Sequence, residues 1–158
     1  KTTITDIAKE IGVAQGLCYR YFPSKEVLFD SAIDQYADLL AAQYKDLAEK
    51  TDISLKELIQ KLPAGIDDKN TKYYAVFHGP HNKKFHNLLS LKTCEKLIPI
   101  VEKLLQKARE RGEIHLQDLS TAAMFCVYGQ LGILLEDGTD QREKADRIRE
   151  FLIYALHL

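Results

Sequence analysis

The residues best equipped for chemistry lie in one stretch, VAQGLCYRYFPSK, from Val13 to Lys25. It gathers the amide of Gln15, the phenols of Tyr19 and Tyr21, the guanidinium of Arg20 and the ammonium of Lys25. These are hydrogen-bond donors, and they suit an acceptor-rich or anionic partner. Tyr19, Arg20, Tyr21 and Phe22 are consecutive, so they cannot all share one buried helix face. A short helix showing tyrosines and an arginine to the outside can donate to phosphates on both sides of a duplex groove, and a glutamine can bond base edges. Against this stands a plainer reading, a packed aromatic cluster with a solvated arginine.

Other constellations are weaker. His78, His81 and His86 fall close together, but Gly79-Pro80 separates the first two, so helical convergence is not assured and no metal site is assigned. Cys18, Cys94 and Cys126 are odd in number, far apart and without CxxC spacing. This argues against a disulfide framework or structural zinc and fits a reducing, cytoplasmic setting. Cys18 reads as a buried small thiol rather than a redox switch. No Ser-His-Asp set, Gly-rich phosphate loop or paired-carboxylate motif stands out, so the expectation is a protein without catalysis and without a cofactor. No apolar run approaches the ~20 residues of a membrane span, and no secretory signal opens the chain.

The elements that would position the donors read as helices. Thr3 caps a helix over Ile4–Ile11 with the stripe Ile4, Ile7, Ala8 and Ile11, and Gly12 ends it. A second helix runs from about Gln15 to Tyr21, with Cys18, Tyr21 and Phe22 able to lie inward, and Pro23 stops it. Ser24 caps a long helix from about Lys25 to Glu49, whose stripe is Phe29, Ile33, Tyr36, Leu40, Tyr44 and Leu47. A short helix follows over Leu55–Leu62, then a loop at 64–70, an aromatic run from Tyr73 to Phe77 and a break at 78–82. Helical periodicity returns over Phe85–Cys94 and again over Leu97–Arg111, closed by Gly112. Leu116 to Glu136 is apolar on nearly every side, so it is either central or shared with a partner. Gly129 and Gly132 within it suit close approach by another helix. Asp140 with Glu143 resembles a capping box for a last helix with the stripe Ile148, Leu152 and Ala155, widened by Phe151 and Tyr154.

The chain of 158 residues is 46% hydrophobic and 28% charged, ordinary for a folded protein with a real core. Its net charge is −1, yet residues 1–25 carry +2, which leaves −3 on the remainder. That suits a small nucleic-acid-binding head on a near-neutral body.

The stretch TTITDIAKEIGVAQGLCYRYFPSKEVLFDSAI, residues 2–33, resembles the DNA-binding region of TetR/AcrR-type transcriptional regulators. The resemblance rests on the Thr-rich start, Ile7-Ala8, Gly12-Val13, Gly16, the YRYF block and SKEVLF. It implies a helix-turn-helix in which Thr3, Thr5 and Lys25 meet phosphate. Gln15, Gly16 and Leu17 would face bases, and Tyr19, Arg20 and Tyr21 would touch backbone or base edges. It also implies a homodimer through the last two helices, double-stranded DNA with a palindromic operator, and a small-molecule effector. The family carries a helix ahead of the one at Ile4, which these letters do not include, so Ile4 and Phe22 are expected to lack some packing partners.

The resulting expectation is an all-α chain with two parts: a helix-turn-helix DNA-binding domain over 1–45 and a helical ligand-binding and dimerisation domain over 46–158. Tyr73, Tyr74, Phe77, His78, Phe85, Met124, Phe125 and Tyr128 are candidates for an effector cavity. Val127, Leu131, Leu134, Ile148, Phe151, Leu152 and Ala155 are candidates for the dimer interface. The same residues are compatible with a helical interaction module whose head contacts protein rather than DNA, which the salt dependence of binding would distinguish.

Overall fold

The structure is a computed structural model that describes residues 2–50, 53–62, 83–136 and 138–158. Among these residues it is all-helical. The elements are α1 (Ile4–Glu10), α2 (Gln15–Tyr21), α3 (Lys25–Lys50), α4 (Leu55–Gln60), α5 (Lys83–Glu110), α6 (Leu119–Leu134) and α7 (Gln141–Ala155).

Local chemistry sets most of the boundaries. Thr3 and Asp6 form a reciprocal capping box on α1: Asp6 N donates to Thr3 Oγ1 at 3.2 Å and Thr3 N donates to Asp6 Oδ2 at 2.8 Å. Gly12, at φ +72°, lets the chain leave α1, with Val13 N reaching back to Ala8 O at 2.9 Å. Ser24 caps α3 through Val27 N, and Ser54 makes a capping box with Glu57 on α4. Asp118 accepts from Thr121 N at 2.9 Å to start α6. At α7 the cap differs from the capping box read in the sequence: Asp140 accepts from Arg142 N at 2.8 Å, so Glu143 contributes as a first-turn carboxylate.

A small cluster of Ile4, Ala8 and Cys18, covered by Val13 and Leu28, holds α1 against α2 and the start of α3. The α3 helix, with 26 residues, extends about 39 Å. Its face Ile33, Ala37 and Leu40 packs on Leu89 of α5, and Ala41 meets Cys94 and Leu97 of α5 and Val127 of α6. Phe29 and Phe85 stack in a tilted pair with ring centroids 4.8 Å apart. Along the same seam Lys96 lies 3.1 Å from Asp34 and 3.0 Å from Asp38, and Lys92 lies 3.6 Å from Asp34. The main core joins Leu55, Leu58 and Ile59 of α4 to Leu105 of α5, Ala123 of α6 and Ile148 and Leu152 of α7.

One element departs from the sequence reading. Phe85–Cys94 and Leu97–Arg111 are one continuous helix, α5, which passes through Pro99. A proline removes one backbone donor and crowds the preceding turn. Here Pro99 is exposed, while Leu97 and Leu105 on the opposite face are buried, so packing on both sides holds the helix through the defect.

Candidate functional site

The α2 helix is short, and one residue anchors it. Cys18 is buried against α1, whereas Gln15, Gly16, Leu17, Tyr19, Arg20 and Tyr21 are all exposed. The inward placement of Tyr21 read from the sequence is corrected: Tyr21 is 65% exposed, and Phe22, which ends the helix, is half-buried. The small contact of α2 with α1 is made by Cys18, with Ile4, Ala8, Val13 and Leu28 around it. The result is a rod held by one thiol, with an amide, two phenols and a guanidinium turned outward. Gly16 has open space where a Cβ would stand, so contacts within the chain do not require glycine there.

The flanking residues are more constrained than the sequence suggested. Thr3 Oγ1 donates to Asp6 Oδ2 at 2.7 Å, so its hydroxyl proton is already committed. That bond and the backbone bond from Thr3 hold the Asp6 carboxyl below its usual range. Lys25 Nζ donates to Thr2 O at 2.5 Å and ties the chain ahead of α1 to the start of α3. Two ammonium protons remain available. Thr5 is exposed on the first turn of α1.

A second feature lies in the body. A partly open cavity of about 130 Å³ lies between α3, α4, α5, α6 and α7. Its mostly apolar wall includes Leu58, Leu97, Leu105, Val127, Ile148 and Leu152, and its polar groups include Tyr44, Gln130 and Arg149. Burial pushes the Tyr44 phenol up to about 12. Burial, with the nearby Glu95 carboxylate, pushes the Cys94 thiol up to about 11, and burial also raises Cys126. All three are therefore uncharged at neutral pH. Gln130 Nε2 donates to Cys126 O at 2.5 Å. Arg149 donates from Nη1 to Asp146 Oδ1 at 2.7 Å and from Nη2 to Leu62 O, while its buried Nε has no partner.

The cavity and outer face exchange residues relative to the sequence reading. Met124, Phe125 and Tyr128, expected in the cavity, face outward on α6, and Phe125 is 77% exposed. Val127, Leu134, Ile148 and Leu152, expected between protomers, line the cavity instead. Leu131 is partly buried against Ala41, Cys94 and Leu97. Phe151 and Ala155 are exposed, as is Tyr154 beside them. Phe85 is partly exposed and stacks on Phe29 away from the cavity wall. Tyr73, Tyr74, Phe77, His78 and His81 lie outside the described residues. Among the described residues, no group of three His, Cys, Asp or Glu side chains is placed to hold a metal ion.

Sequence reasoning missed Arg149 and Gln130. Arg149 follows Ile148 in the apolar stripe of α7, and only that adjacency hinted that its aliphatic stem would be buried. Gln130 carried no signal beyond being a polar residue in an otherwise apolar helix.

Comparison with known proteins agrees with the head geometry. Residues 1–32 match the family described as bacterial regulatory proteins, tetR family. The chain is 37% identical over 57 residues to the HTH-type transcriptional repressor KstR2 of Mycobacterium tuberculosis, covering 36% of this chain and 28% of that protein. It is 35% identical over 81 residues to the nucleoid occlusion factor SlmA of Photorhabdus laumondii, covering 50% and 41%. It is 29% identical over 166 residues to the uncharacterized HTH-type transcriptional regulator YerO of Bacillus subtilis, covering 98% and 56%. The chain thus spans between about a quarter and three-fifths of the length of these relatives. A capped α1, a left-handed glycine at the turn and an outward α2 all lie within the residues that match, so the head of this chain is a helix-turn-helix similar to that of the tetR family of bacterial regulatory proteins.

Proposed function

We propose that the protein is a ligand-responsive transcriptional repressor, with a DNA-binding head over residues 1–45 and a ligand-binding and dimerisation body over 46–158. The observation that carries this reading is the outward presentation of Gln15, Tyr19, Arg20 and Tyr21 from a helix anchored by Cys18. In the major groove, Gln15, Gly16 and Leu17 face base edges. Tyr19, Arg20, Tyr21, Lys25, Thr3 and Thr5 meet the flanking backbone, with Thr3 acting chiefly as the helix cap. Two copies pair through the outer face of α6 and α7, where Met124, Phe125, Tyr128, Phe151 and Tyr154 are exposed. A twofold dimer reads a palindromic operator with recognition helices about 34–36 Å apart. The naming of KstR2 as a repressor supports the sign of regulation.

An effector in the body cavity releases the operator if it binds the released conformation better than the DNA-bound one. The α3–α5 seam supports this route, because α5 lines the cavity and α3 leads directly out of the head. Fluorescence anisotropy of the protein against its enriched genomic duplex, with and without ligand and at several salt concentrations, tests the reading. A steep salt slope and ligand-dependent release are expected. Binding that no ligand changes would leave a constitutive DNA binder, and absence of binding would refute the reading.

A further inference from the structure

The cavity has one unusual property for an apolar chamber: a buried donor without an acceptor. Arg149 spends its two terminal nitrogens on Asp146 and on the carbonyl of Leu62, while its Nε–H remains unpartnered. A buried unsatisfied donor is costly, so an occupant that brings an acceptor recovers free energy that a hydrocarbon leaves unused.

Charge narrows the class further. The Asp146 carboxylate, 2.7 Å from Nη1, balances the guanidinium. Tyr44, Cys94 and Cys126 present no charge at neutral pH. A carboxylate or phosphate entering the chamber would therefore be an unbalanced charge among Leu58, Leu97, Leu105 and Ile148, which is strongly unfavourable. Size sets the third limit, since about 130 Å³ is close to the ~150 Å³ of an apolar cavity that takes up benzene.

We propose that this cavity takes a small, neutral, mostly apolar molecule with a single hydrogen-bond acceptor, a ketone, ester or ether, seated on the Nε–H of Arg149. The inference deepens the effector reading and takes its regulatory meaning from it.

The test uses the intact protein with acetophenone as the neutral acceptor and benzoate as its shape-matched anion. Binding is followed by NMR titration, and isotope-edited infrared spectroscopy reads the carbonyl of bound 13C-labelled acetophenone. Acetophenone is expected to bind with its carbonyl band at the lower frequency of a hydrogen-bonded ketone. Benzoate is expected to bind at least about tenfold more weakly. In Arg149→Met the band returns toward its position in an alkane solvent and acetophenone affinity falls about 3–10-fold. Failure of both probes to bind, tighter binding of benzoate, or a free-carbonyl band in the unaltered protein would each overturn the proposal, and none of these depends on the variant folding. If acetophenone binds in this way but leaves DNA affinity unchanged, the ligand class stands and the regulatory reading fails. If DNA is released only by anionic molecules, regulation stands and the ligand class fails.

Discussion

Replacing Phe125 by Glu separates self-association from folding, because the ring contributes little to its own protomer. Phe125 is 77% exposed and stands on α6 beside Tyr128, with Phe151 and Tyr154 exposed on α7. A phenylalanine ring buries roughly 200 Å² when fully covered, so about 150 Å² remains for a partner. At ~25 cal/mol/Å² this is worth at most about 4 kcal/mol per side chain. A twofold interface contains the residue twice. Ordering costs and incomplete coverage reduce the total, and measured losses at such anchors are typically about 2–4 kcal/mol. Phe125→Glu is therefore expected to raise the dimer dissociation constant by about a thousandfold or more. The melting temperature of the isolated protomer should stay within about 2 °C, as for an exposed substitution. Sedimentation velocity across a dilution series, with thermal melts at concentrations where the variant is monomeric, measures both quantities. A variant that still dimerises as tightly as the parent would refute the assignment of this face, and a variant that unfolds would refute its description as free surface.

Three further outcomes follow from other parts of the molecule. Gly16→Ala, with open space at its Cβ, should stabilise α2 by about 0.5–1 kcal/mol in chemical denaturation, yet weaken DNA binding where the backbone must approach base edges. Lys96→Met removes the half-exposed pairs to Asp34 and Asp38 and should leave the melting temperature nearly unchanged, while reducing the change in DNA affinity that a bound ligand produces. At high pH, Tyr44 and Cys94 have folded-state values raised to about 12 and about 11 from ordinary values of 10.0 and 9.0. Their stabilising contribution is therefore whole below pH 9 and is lost as pH rises through the folded values, and Tyr44→Phe should flatten the decline in melting temperature between pH 10 and 12.

Local chemistry made the head legible. Thr3 with Asp6, Gly12 and Ser24 each act within a turn of their own position, so the ends of α1 and the start of α3 can be read from adjacent letters. Direction was harder to read. The α6 helix is apolar all round, and a pattern without a polar face cannot say whether Val127 or Phe125 points inward. Packing of Val127 on Ala41 and Cys94 decides it, through contacts distant in sequence. The sequence pattern divided α5 between Cys94 and Leu97, whereas the burial of Thr93, Cys94, Leu97 and Leu105 that makes it one helix is tertiary. Arg149 was invisible as a cavity residue because, although Asp146 is a neighbour on α7, its other partner, the Leu62 carbonyl, is distant in sequence. Lys144 behaved likewise: it is buried and donates to Leu134 O and Glu136 O at the end of α6, a helix cap supplied from another helix.

The most direct measurement is a salt titration of duplex binding by the unaltered protein and by the double variant Tyr19→Ala, Arg20→Ala, with melting temperatures recorded for both. Both side chains are exposed, so the melts should coincide, while the variant loses most of its affinity and its plot of log K against log salt becomes shallower by about 2, one phosphate for each protomer. Equal affinity and equal slope in the two proteins would contradict the assignment of α2 as the DNA-reading helix.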